Sequence, residues 1–183
     1  MFDEKSNSIK RGIVVIGLLI ISTFILAISV SAEGNPVWVD DDANPGWYNE
    51  THVQTIQEAI NNVTEGGTIY VWNGTYYENV IVNKSITIEA NLSVVLDGIA
   101  NYGMSITVNN TVIQNITITN SSVGIYIFNS SWMLHYITLN NLTICNSTTG
   151  IYFDIVSYCN ITTCNIYNNT NGIILNNPFQ RAL

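Results

Sequence analysis

Basic side chains are scarce in this chain: 5 Lys plus Arg stand against 13 Asp plus Glu in 183 residues, for a formal net charge of −8. Nucleic-acid binding draws its affinity from a basic face that neutralises phosphates, so that partner class is excluded. Histidine is limited to His52 and His135, which leaves no concentrated ligand set for a soft or borderline metal. The three cysteines, Cys145, Cys159 and Cys164, fit neither a CxxC nor a zinc spacing. Two readings of them stay open: small apolar fillers on strands, or a disulfide, for which Cys159 with Cys164 is the short pair. Charged residues of both signs make up only 10% of the chain. Such a low value suits a membrane protein or a polar tail, yet 47% of the residues are hydrophobic. The polar remainder is Asn, Thr and Ser interleaved with Ile, Val and Tyr, which is a strand-forming composition.

The segment from Met1 to Ala32 has a different character. Lys5, Lys10 and Arg11 precede an apolar stretch from Ile13 to Ile28 that carries no charge, and Ser29-Val30-Ser31-Ala32 follows. This order predicts a secretory signal cut after Ala32. The apolar core is also close to bilayer-spanning length, so an uncleaved anchor is the alternative. Either reading places residues 33–183 outside the cytoplasm, because the basic flank stays inside. The exported part keeps Lys84 and Arg181 against eleven acids. It will not adhere to anionic lipid, so the membrane enters only through the N-terminal segment.

After Val37-Trp38-Val39 and a turn-rich Asn44-Pro45-Gly46, apolar residues at 56, 59, 60 and 63 predict a short helix, closed by Gly66-Gly67. Period-two strand patterns follow from Thr68 to Trp72, Asn79 to Val82, Ser85 to Glu89 and Ser93 to Leu96. The chain then repeats itself. Ile118-x-Asn120-x3-Gly124-Ile125, Ile144-x-Asn146-x3-Gly150-Ile151 and Ile166-x-Asn168-x3-Gly172-Ile173 superpose without a gap. The interval from one matched glycine to the next lies within the range of about 20 to 50 residues that marks solenoids and other repeat folds. Strands of four or five residues joined by tight turns close one rung, and parallel stacking then puts Ile125, Ile151 and Ile173 in one buried column. Gly124, Gly150 and Gly172 are expected at turns needing a left-handed or crowded backbone, with Asn120, Asn146 and Asn168 beside them. An antiparallel sandwich is the competing fold, but its strands have no reason to repeat one unit at rung length.

Thirteen Asn-x-Ser/Thr triplets occur, among them Asn73, Asn83, Asn91, Asn115, Asn120, Asn141, Asn146 and Asn160. They are candidate glycan acceptors outside the cell. Strand alternation is the rival cause, since in Asn115-Ile116-Thr117-Ile118 Asn and Thr share the outward face.

The stretch Val37-Trp-Val-Asp-Asp-Asp-Ala43, the helix from Thr55 to Ile60, and the run from Gly67 to Glu89 resemble the entry into a right-handed parallel β-helix of the pectin-lyase-like superfamily. Within it they are similar to the NosD-like and carbohydrate-binding and sugar-hydrolase repeat proteins common on archaeal surfaces. The resemblance implies an all-β solenoid with a short N-terminal capping helix, preceded by the signal or anchor segment. The corresponding divisions are 1–32 signal or anchor, 33–68 cap region, 69–177 rungs, and a tail at 178–183 that suggests a longer protein. Fold does not carry chemistry here, because the same helix serves enzymes and non-catalytic surface proteins.

Lyases on this fold resemble one another in using a Lys or Arg base together with calcium, but neither Lys84 nor Arg181 lies in the repeating rungs, which run from about residue 99 onward. Glycoside hydrolysis needs two carboxyls across one bond, and the repeats offer Asp97 and Asp154 without a paired motif. Neither feature nominates a catalytic residue or an organic cofactor. Asp40, Asp41 and Asp42 form the one charge cluster, readable as a solvated turn or as a weak calcium site. Trp38, Trp47, Trp72 and Trp132, with Tyr76, Tyr77, Tyr126 and Tyr152, are readable as sugar-stacking surfaces or as lateral packing between rungs. The expectation is a non-catalytic secreted or surface module that binds carbohydrate or protein or contributes to surface structure. The alternatives are a fragment of a carbohydrate-active enzyme and a NosD-like accessory protein.

Overall fold

Apolar residues at every second position give each short segment one face that must be buried, and this chain buries those faces by winding them around a common axis. The computed structural model describes residues 34–176; the expectations for residues 1–32 and 178–183 lie outside them. Residues 33–183 form a compact unit by themselves.

The described chain opens with β1 (Val37–Val39), β2 (His52–Val53) and α1 (Ile56–Asn62). Thr55 starts the helix by accepting the Glu58 N–H on its hydroxyl at 3.1 Å, a standard N-cap. Ile56, Ala59 and Ile60 form the buried stripe expected from their spacing.

Five coils follow. The first holds β3 (Thr68–Val71), β4 (Gly74–Tyr77) and β5 (Val80–Val82). The second holds β6 (Thr87–Asp97) and β7 (Tyr102–Ile106), the third β8 (Thr111–Thr119) and β9 (Val123–Ile127). The fourth contains β10 (Leu134–His135), β11 (Ile137–Asn140), β12 (Thr143–Cys145) and β13 (Thr149–Asp154). The fifth contains β14 (Val156–Ser157), β15 (Asn160–Thr162), β16 (Asn165–Tyr167) and β17 (Asn171–Asn176).

Three faces result. The first runs β1, β3, the start of β6, the start of β8, β11 and β15, and β2 lies beside β1. The second runs β4, the end of β6, the end of β8, β12 and β16. The third runs β5, β7, β9, β13 and β17. All of these pairings are parallel, which excludes the antiparallel sandwich.

Equivalent side chains stack from coil to coil. Leu96, Ile118, Ile144 and Ile166 occupy one register position on the second face, each a single coil from the next. Met104, Ile125, Ile151 and Ile173 do the same on the third. The upper members are fully buried, whereas Ile173 in the last coil is 46% exposed. A rung is stabilised by the rung beneath it, and the fifth has none among the described residues.

The two repeat residues divide the expected labour. Asn120, Asn146 and Asn168 each have φ 53°, a left-handed corner that Asn tolerates better than most residues. Gly124 and Gly150 do not have positive φ; close approach is their reason. A Cβ on Gly124 would lie 2.6 Å from the Gly150 carbonyl oxygen and 2.5 Å from the Ile144 Cγ2, so the missing side chain is the space the next coil fills. A second left-handed column stands between the first and second faces, at Ser93, Asn115, Asn141 and Thr163. Asn115 is therefore a corner residue, and the conformational demand of that corner, more than strand alternation, accounts for its Asn.

Candidate functional site

The outward positions of the first face change character down the solenoid. His52, Trp38, Tyr70, Glu89, Gln114, Asn140 and Thr162 occupy one register column. At the top the rings stack: Trp38 lies 4.9 Å from His52 at 14°, and 6.1 Å from Tyr70 at 27°. Trp47 meets His52 edge-on at 4.5 Å. Stacked rings cover each other's faces. The ring series ends at Tyr70, because the next position down is a carboxylate.

Beside that end the wall opens. Glu89 and Val94 of β6 pair with Gln114 and Ile116 of β8, with a shift of register between them. The second coil therefore spends three more residues on this corner than the third, and an extra length of strand has to bulge. A cavity of about 460 Å³ lies at this corner, lined by Trp38, Tyr70, Trp72, Glu89, Asn91 and Asn115 among others. Trp72 is 44% exposed. Glu89 is half-buried, and among the described residues no hydrogen bond or ion pair engages its carboxylate. Asn115 accepts a hydrogen bond from the Asn141 amide at 2.9 Å. Aromatic surface beside an unpaired acceptor suits a ligand that has both an apolar face and hydroxyl donors. Among the described residues, Glu89 is the carboxylate that lines the cavity.

Sequence reasoning missed Glu89. The signal was present as an extra interval: aligning Ile88-Glu89 with Ile113-Gln114 exposes the three surplus residues that make the bulge. The aromatic candidates separate. Tyr126 packs against Tyr102 at 5.0 Å and meets Tyr152 edge-on at 5.3 Å, which is lateral packing between coils, and it stacks on Phe128 of its own coil at 4.5 Å. Tyr76 is buried, donating its hydroxyl to the Trp72 and Val39 carbonyls at 3.0 and 3.4 Å. Trp132 and Tyr77 are exposed but lie outside the cavity.

The remaining candidates are spread over the molecule. Asp40, Asp41 and Asp42 each bring a carboxylate oxygen within 4.8 Å of the others. Burial raises the Asp40 carboxyl above its ordinary range, and the charges of Asp42 and Asp41 add to this. The three cysteines carry free thiols; Cys145 is buried, Cys159 and Cys164 are half-buried in the fifth coil. Among the acceptor triplets, Asn120 donates its amide to Asp97 at 2.8 Å, Asn141 to Asn115 at 2.9 Å, and Asn146 to Thr119 at 3.3 Å. Asn91 is exposed at the rim of the cavity. Asn73, Asn83 and Asn160 are exposed, and no hydrogen bond within the described residues engages their amides.

Fold and groove together define a parallel β-solenoid with an aromatic-lined groove on one face. A cell surface glycoprotein of Methanothermus fervidus is 38% identical to this chain over 78 residues, a match covering 40% of this chain. The matched region spans 13% of that relative's length. No family model matches the chain, and no solved structure matches it.

Proposed function

We infer that residues 33–183 are a non-catalytic β-solenoid module of a cell-surface protein, outside the cytoplasm, and that the first-face groove binds carbohydrate. The observation that carries this reading is the unpaired Glu89 carboxylate beside Tyr70 and Trp72. A pyranose ring lays its apolar face on an indole and offers hydroxyl donors to a carboxylate. The relative named a cell surface glycoprotein supports the location. The reading includes a right-handed winding, the hand that parallel crossovers adopt in almost all sheets, and α1 as the cover of the first coil. It also includes glycans on Asn73, Asn83 and Asn160, whose amides are exposed.

The test is titration of purified residues 33–183 with a panel of neutral and acidic oligosaccharides, followed by calorimetry and by product analysis. Binding is expected, with no bond cleaved. Trp72→Ala and Glu89→Gln should each weaken it at least about tenfold, while Trp132→Ala leaves it unchanged. Binding that survives both groove variants, or release of cleaved sugar, overturns the reading.

A further inference from the structure

The groove beside the first and second coils holds a negative charge that no neighbouring cation offsets. Residues 34–176 contain ten acids and a single base, Lys84, and Lys84 is spent on α1, donating to the Asn61 and Val63 carbonyls. Among the described residues that line the cavity, Glu89 has no Lys, Arg or His beside it. Its other neighbours there are aromatic. Tyr70 and Trp72 keep 38% and 44% of their surface exposed.

Register fixes how these groups meet. Tyr70 pairs with Glu89 and Val71 with Ala90, so Glu89 lies one strand spacing from Tyr70, about 4.8 Å, and diagonally across from Trp72, about 8 Å away. A small cation seated in that interval reaches both kinds of group. Its N–H donors meet the carboxylate in charge-assisted bonds, and its charge lies against the aromatic faces. A neutral sugar offers Glu89 hydroxyls but leaves its charge uncompensated, and the carboxylate of a uronic acid meets it as a like charge. We propose that the ligand of this groove is an amino sugar with a free, protonated amine, held by Glu89 and Trp72. The proposal rests on the carbohydrate-binding reading above and narrows it to one class of sugar.

The test is calorimetric titration of residues 33–183 with a glucosamine trimer, its fully N-acetylated form, a galacturonate trimer and trilysine. The first two differ in whether the nitrogen carries charge. The glucosamine trimer should bind at least about tenfold more tightly than the acetylated form, with the galacturonate trimer weakest, and the preference should shrink with added salt. Glu89→Gln should bring the two glucosamine forms to equal affinity, and Trp72→Ala should weaken both. Glu50→Gln removes an exposed charge outside the groove and should leave the preference intact, which separates the groove from the general negative field of the chain. Equal affinity for the two forms in the parent, a preference that survives Glu89→Gln, or one that is lost in Glu50→Gln overturns the proposal while the carbohydrate reading stands. Trilysine bound more tightly than the glucosamine trimer, and weakened by Trp72→Ala, assigns the groove to lysines of a protein and overturns it as well. If none of the sugars binds, both readings fall.

Discussion

At one end of the solenoid, side chains finish what the backbone leaves open; at the other, nothing described does so. Beside the first coil, Gln57 pairs with β5 like a strand, accepting the Ile81 N–H at 2.7 Å and donating to the Ile81 carbonyl at 3.4 Å. Glu78 accepts the Ile56 and Gln57 N–H groups at 2.8 and 2.9 Å, satisfying two orphan donors of α1. Lys84 donates to the Asn61 and Val63 carbonyls, each at 2.7 Å, and so meets the opposite terminus. The fifth coil has no such charged residue. The difference teaches that the repeat supplies interior stability while the ends are solved separately, by residues that do not belong to the repeat.

Paired substitutions along one column break or sharpen this contrast. Ile144→Ala should cost about 4 kcal/mol and Ile166→Ala, at the partly open coil, about half of that, read from denaturant midpoints. Equal costs would mean that the fifth coil is as tightly covered as the fourth. Gly124→Ala drives a Cβ into the Gly150 carbonyl and should cost about 3 kcal/mol. A Cβ at Gly172 would meet nothing within 4 Å among the described residues, so Gly172→Ala should change stability by no more than about 0.5 kcal/mol.

Glu78→Ala strands two helix N–H groups and should lower stability by about 2 kcal/mol, measured by the same unfolding curves. Asn146→Ala and Asn168→Ala should each cost about 1 kcal/mol, because the left-handed strain is local and indifferent to what covers the coil. A large gap between those two would show that their hydrogen bonds, more than φ, set the effect.

The smallest expected effect is a pH dependence. Burial raises the Glu78 carboxyl above its ordinary 4.5, against the lowering by its bonds to the Gln57 and Ile56 N–H groups. The folded state therefore takes up this proton before the unfolded state does as pH falls. The resulting stability is complete below about 4.5 and is lost as pH rises through the raised folded value. Stability of the parent relative to the Glu78→Gln variant should accordingly decline with rising pH across that window; a flat difference would contradict the shift.

Much of the fold was legible because its cause is periodic. Ile118, Ile144 and Ile166 repeat at rung length and stack at rung length. The helix was visible in the spacing of the apolar residues at 56, 59, 60 and 63. The roles of Asn and Gly were legible only jointly: the pattern located both, but nothing in it separated a left-handed Asn120 from a crowded, ordinary-φ Gly124. The groove was least legible. Glu89 looks like any outward strand residue until the register of β6 against β8 shows the surplus residues that open the wall, and Trp72 looks like Trp38 until one proves exposed and the other stacked.

The order of apolar and polar residues by itself determined that this chain winds in parallel and which positions face inward, because a rung can bury its Ile and Val only against a rung of the same pattern. Tertiary structure decided which outward side chains meet. Neighbours across a coil, such as Tyr70 and Glu89 or Gln114 and Asn140, are distant in sequence, and corner loops of unequal length set their alignment. The aromatic stack and the Glu89 carboxylate beside it exist only once those distant positions are brought side by side.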